Sequence, residues 1–206
     1  MPKTQHPIPG SQPIRLAMLA SGSGTNVENF IRYFRDHPVI EVALVVSDRK
    51  DALVLERARR HGIPRVHVPG SDWKDPGRII NLLSDQGIDC LVLAGFLRLV
   101  PPPVVKAWPD RIVNIHPALL PDFGGKGMYG MHVHQAVIAS GAAESGISIH
   151  LVNERYDEGQ VLFQARLPVE AGETPESLAG KIHALEYRYY PAVVESWLTE
   201  GKRPGS

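Results

Sequence analysis

Ile14-Arg15-Leu16-Ala17-Met18-Leu19-Ala20, followed at once by Ser21-Gly22-Ser23-Gly24-Thr25-Asn26, is the stretch that decides the fold. The first seven residues are almost all apolar and have the length of a buried strand. After the glycine turn, Val27, Phe30, Ile31 and Phe34 recur at helical spacing, which predicts a helix over 27–35. The same alternation continues to the end of the chain. Strands are predicted at 39–46, 65–68, 88–94, 111–116, 147–152 and 161–169, and helices at 53–61, 78–86, 101–108, 133–140 and 175–198. Strands alternating with helices predict an α/β fold, a mostly parallel central sheet with helices on both faces. Residues 14–200 are expected to form one domain, with tails at 1–13 and 201–206; no internal repeat or linker divides them.

Charge and cysteine content narrow the function classes. Among 206 residues, Lys+Arg and Asp+Glu each number 22. With no basic surplus, nucleic acid and anionic membranes are poor partners, and any phosphate must be held by local geometry. The single cysteine, Cys90, lies in an apolar run and has no partner for an intrachain disulfide. That usage fits a reducing compartment. The apolar stretch 91–97 is far short of a bilayer span, and the opening MPKTQHPIPGSQP lacks an apolar signal core, so a cytoplasmic location is expected.

A strand, a glycine turn and a helix make a phosphate-binding arrangement, because glycines admit the anion while N–H groups at the helix start point towards it. Val27 stands where the dinucleotide fingerprint has its third glycine, and the Gly-Lys-Ser/Thr of a P-loop does not occur in the turn. A single phosphate group fits better than a dinucleotide or ATP. The alternative is a structural turn whose Ser and Thr cap the helix.

The second signal is Asn114-Ile115-His116-Pro117. Alternation along a strand sends Asn114 and His116 to the same face, so an amide and an imidazole project together from a strand end. Asp157, in Tyr156-Asp157-Glu158-Gly159, follows the strand that holds His150 and is expected to hold His116 and raise its pKa. Blander readings are a satisfied polar pair and an ordinary Asp/Gly turn. No GxSxG elbow supports a Ser-His-Asp hydrolase. His132 and His134 raise a metal site, which neither a Cys cluster nor an HExxH helix supports. Four glycines in 122–131 (DFGGKGMYGM) predict a mobile loop of the kind that gates sites.

Taken as an ordered set, SGSGTN at 21–26, LAGFLRL at 93–99, NIHPALLP at 114–121 and YDEGQVLFQ at 156–164 resemble the folate-dependent glycinamide ribonucleotide formyltransferase family of purine synthesis, over about residues 14–198. The resemblance implies a Rossmann-like formyltransferase fold, 10-formyltetrahydrofolate as formyl donor, the amine of glycinamide ribonucleotide as acceptor, no metal, and a chain acting as a monomer or homodimer. Carried over by position, Gly24, Thr25 and Asn26 match the phosphate loop, and Glu186 matches a ribose contact. Leu97, Arg98, Leu99 and Val100 match the stretch that receives the pterin, with Lys74 at a basic folate-contact position. Asn114, His116 and Asp157 match the catalytic triplet, Asn114 also facing the folate. Ala118 stands where Ser is usual, Glu158 where Gly is frequent, and 126–130 reads as an insertion.

Those residue types suit the chemistry. An amine attacking a formyl carbonyl creates an oxyanion, to which Asn114 donates a hydrogen bond and a protonated His116 lends its charge. One such donor is typically worth about 2.7–4 kcal/mol. His116 with Asp157 would relay the proton to the departing folate nitrogen. The competing functions are a formyltetrahydrofolate hydrolase, which carries an extra N-terminal domain that thirteen residues would not supply, and a non-catalytic folate or nucleotide carrier.

Overall fold

The computed structural model describes residues 12–200; most of the first expected tail, 1–11, and all of the second, 201–206, lie outside the described residues. Seven strands, β1 (Ile14–Leu19), β2 (Ile40–Ser47), β3 (Arg65–His67), β4 (Cys90–Leu93), β5 (Ile112–His116), β6 (Glu144–Leu151) and β7 (Val161–Pro168), form one sheet in the order β3-β2-β1-β4-β5-β6-β7. The five neighbours from β3 to β5 run parallel, and β6 and β7 close the other edge antiparallel. The alternating pattern of β1 sorts its side chains between two cores. Leu16 and Met18 pack with α1 (Thr25–Tyr33), α2 (Leu53–Arg60), α5 (Met131–Ser140) and α6 (Pro175–Glu200). Ala17 and Leu19 pack on the opposite face with α3 (Pro76–Asp85) and α4 (Pro102–Ala107).

The predicted elements all form, with ends shifted by a few residues. The first helix begins at Thr25, because Gly24 adopts the left-handed conformation (φ 73°) and turns the chain into the helix. A short 3-10 helix at Asp72–Lys74 was not expected; its Trp73 is buried and donates to the Val68 carbonyl at 3.1 Å. Tyr190 on α6 is fully buried, and its hydroxyl bonds the carbonyls of Leu93 (2.9 Å) and Val113 (3.2 Å), tying the closing helix to β4 and β5. Among the described residues, no helix is long and apolar enough to cross a membrane.

β1 and β4 lie side by side, yet the chain leaves β1 towards β2 and leaves β4 towards β5. At such a switch point the connections diverge and leave a crevice beyond the strand ends, where open α/β sheets bind ligands. The loops after β1 and β4 are tied across it, Ser21 N–H donating to Gly95 O and Leu97 N–H to Ser21 Oγ, each at 3.0 Å.

Candidate active site

The crevice is a cavity of about 630 Å³, walled by the glycine turn after β1, the 93–100 segment after β4, the end of β5, the 125–130 loop and one side of α6. Gly24, Thr25, Asn26, Leu97, Arg98, Leu99, Val100, Asn114, His116, Asp157 and Glu186 all line it. Lys74 does not: it is exposed at the end of the 3-10 helix, outside the lining.

At one end the turn offers bare donors. Among the described residues the backbone N–H groups of 22–26 have no protein acceptor, and no side chain caps α1. These are the orphan donors of a helix start, aimed into a cavity, the arrangement that holds an anion. A Cβ on Gly24 would collide with Val54 of α2, so the position excludes side chains on the helix side as well as by its φ. Arg49, just after β2, also lines the cavity. Asn26 Nδ2 donates to Glu186 Oε2 at 2.8 Å, leaving a buried Asn26 Oδ1 without a partner. Burial pushes the Glu186 carboxyl up, opposed by the Asn26 hydrogen bond and by His183. Together they offer acceptors suited to hydroxyl groups.

The reacting groups stand on β5 and β6. Antiparallel pairing sets His150 opposite Asn114. His150 Nδ1 donates to Leu151 O (2.8 Å), so in the neutral ring Nε2 accepts from Asn114 Nδ2 (3.2 Å), which fixes the amide and leaves its second N–H to donate. His116 is 3% exposed; its Nε2 lies 2.9 Å from Phe123 O and its Nδ1 3.6 Å from Asp157 Oδ2. Asp157 Oδ1 reaches His150 Nε2 at 3.5 Å, and Oδ2 accepts from Gly125 N–H at 3.0 Å. One carboxylate thus spans both histidines and the glycine-rich loop. Phe123 and Asp157, both on His116, hold positive φ (55° each), and sparsely populated backbone of this kind clusters at functional sites. The loop carrying Phe123 is fixed from below: Ser148 Oγ donates to Ala118 O (2.8 Å) and accepts from Leu120 N–H (2.9 Å) and Gln164 Nε2 (2.8 Å).

The expected rise in the His116 pKa is corrected by the structure. Burial lowers it, outweighing the raising effects of Asp157 and the Phe123 carbonyl, with His150 lowering it further. Burial therefore favours the neutral ring before an oxyanion develops, although both of its nitrogens face acceptors that favour the charged form. For Asp157, burial acts upwards, but the hydrogen bond that His150 gives when protonated, the Gly125 N–H, and the charges that His116 and His150 carry when protonated hold it below the ordinary carboxylate range.

Three histidines were not singled out for this site. His150 was only a strand marker. His134 is buried on α5 with Nδ1 unpartnered and lines the cavity, its pKa lowered to about 4 by burial and then by His183 and His116. His183 lines the same side from α6. His132, weighed with His134 as a metal pair and disfavoured, is exposed and packs edge-on against Tyr129. Among the described residues no three metal-ligating side chains converge. The two departures at 118 and 158 are accommodated: Ala118 is fully buried, and Glu158 is exposed and pairs with Arg155.

A parallel sheet with a switch-point crevice, an anion turn and an Asn-His-Asp cluster defines a class that comparison identifies. The chain belongs to the formyl transferase family, whose sequence profile matches residues 14–194, and within it to the phosphoribosylglycinamide formyltransferases. The Escherichia coli enzyme of that name is 32% identical over 194 residues, covering 92% of this chain and 89% of its own. The chloroplastic phosphoribosylglycinamide formyltransferase of Arabidopsis thaliana is 44% identical over 87% of this chain, which spans 64% of that relative's length. Glycinamide ribonucleotide transformylase 1 of Symbiobacterium toebii superposes with a TM-score of 0.83 at 35% identity, covering 93% of this chain and 91% of its own.

Proposed function

We propose that this chain transfers the formyl group of 10-formyltetrahydrofolate to the amine of glycinamide ribonucleotide. The observation that carries it is the convergence, in one cavity, of the anion turn at 22–26, the Asn114–His116–Asp157 cluster and the 97–100 segment. The phosphate sits against the turn, the ribose hydroxyls against Glu186, and the pterin edge against main-chain groups of 97–100. Between them the amine attacks the formyl carbon and the carbonyl becomes an oxyanion. The free N–H of Asn114 donates to that oxygen. His116 starts neutral and gains charge as the oxyanion forms, so its stabilising effect is greatest in the transition state, where it lowers the barrier. An oxyanion contact through Nε2 requires the Phe123 carbonyl to give way. The amine proton passes by way of His116, held by Asp157, to the folate nitrogen as the C–N bond breaks. The products are the formylated amide and tetrahydrofolate. The transfer needs neither metal nor ATP. We also propose a cytoplasmic location, with which the buried free thiol of Cys90 is compatible.

Mixing the protein with a 10-formyl folate, with and without glycinamide ribonucleotide, tests this by the absorbance of the deformylated folate. Acceptor-dependent release is expected. Release at the same rate without acceptor favours hydrolysis, and no release sinks the transferase reading.

A further inference from the structure

We propose that Arg57, on α2 and outside the cavity, is a positioning residue that locks the glycine turn in its anion-binding form; this rests on the reading that the turn takes the ribonucleotide phosphate. A turn that binds an anion must face its N–H groups inwards and its carbonyls outwards. Here Gly22 O accepts from Val54 N–H (3.2 Å), Ser23 O from Arg57 Nε (2.8 Å) and Gly24 O from Glu28 N–H (2.9 Å). The first and third are backbone bonds that do not depend on side-chain identity. Ser23 O alone of the three is held by a side chain.

The Ser23 peptide is also the one most in need of a clamp. It is exposed and joins Ser23 to Gly24, a residue type that takes positive or negative φ with equal ease, so it can flip at little steric cost. A flip would replace the Gly24 N–H with a carbonyl oxygen facing the phosphate. Arg57 is itself held: its Nη1 is ion-paired with Glu28 of α1, and Glu28 also accepts from Arg32 Nη2 (2.9 Å) and lies 3.0 Å from His61 Nε2. The planar guanidinium thus bridges the turn and the helix that follows it, a two-ended geometry that a lysine ammonium does not reproduce.

Arg57→Ala and Arg57→Lys test this, with circular dichroism to confirm folding. The losses should appear as a ribonucleotide KM raised about tenfold or more for Arg57→Ala, with the folate KM and kcat within about twofold. Arg57→Lys keeps the charge and should still show a KM raised severalfold. With the acceptor lacking its 5′-phosphate, wild type and both variants should perform alike. Should wild type discriminate between phosphorylated and dephosphorylated acceptors while Arg57→Ala leaves the ribonucleotide KM unchanged, the clamp is overturned alone. Full restoration by Arg57→Lys, or equal losses on the dephosphorylated acceptor, also overturns it. A wild type indifferent to the phosphate overturns both the clamp and the reading beneath it.

Discussion

Replacing Asp157 by Asn removes one charge from the centre of the site while keeping the shape. Asn tolerates the left-handed backbone that Asp157 adopts (φ 55°), and its Oδ1 can still accept from the Gly125 N–H. The lost quantity is the attraction between a carboxylate and an imidazolium whose atoms lie 3.6 Å apart. Unit charges near 4 Å interact by about 4 kcal/mol at an effective dielectric of roughly 20. In wild type that attraction is expressed chiefly when His116 becomes charged in the transition state. The expected outcome is a kcat lower by roughly a hundredfold to a thousandfold, as for loss of one oxyanion donor. Both KM values should stay within about threefold. NMR titration should show the His116 pKa falling further in Asp157→Asn, because the first influence raising it is gone. His116→Ala combined with Asp157→Asn should cost far less than the product of the single losses. An unchanged His116 pKa together with multiplicative losses would refute the coupling.

Three further outcomes follow from the geometry. Gly24→Val should raise the ribonucleotide KM far more than the folate KM and lower stability, because its side chain meets Val54 and its φ is 73°; equal effects on both substrates would make the turn purely structural. Arg98→Ala should change the folate KM by no more than about fivefold, since the Arg98 guanidinium is engaged with Asp48 (2.7 Å) and the pterin is held by main-chain groups, but it should lower stability because the buried Asp48 carboxylate loses its partner; a much larger KM loss would show that the side chain itself holds the folate. His134 titrates near 6.5 when unfolded and at about 4 when folded, so stability should fall as pH drops through that window and level off below it. At roughly 1.4 kcal/mol per pH unit the full loss is about 3 kcal/mol; urea melts from pH 7 to 4 should show His134→Gln flattening this limb.

How much the sequence disclosed depends on the range of each signal. β1 and its turn were legible because a short continuous apolar run and a glycine cluster are local patterns, and so was the shared orientation of Asn114 and His116. The neutral state of His116 was not legible. It follows from burial beside the Phe123 carbonyl and the antiparallel β6 edge, neither of which a strand motif encodes. His150 was hidden for a related reason: only the β5–β6 register places it against Asn114 and Asp157. Spacing alone likewise does not separate the buried His134 from the exposed His132, two residues away on α5. Lys74 was carried over by position, and the 3-10 helix leaves it exposed outside the cavity, with the buried Trp73 as that helix's anchor.

In the proposed reaction the formyl carbon moves from folate nitrogen to the ribonucleotide amine without passing through water. The direct measurement uses 10-formyltetrahydrofolate labelled with ¹³C in the formyl group, followed by NMR in the presence of equimolar glycinamide ribonucleotide. The label should appear in the formylamide of the ribonucleotide, one for each folate deformylated, with no labelled formate. Labelled formate as the main product, at a rate indifferent to the ribonucleotide, would contradict it.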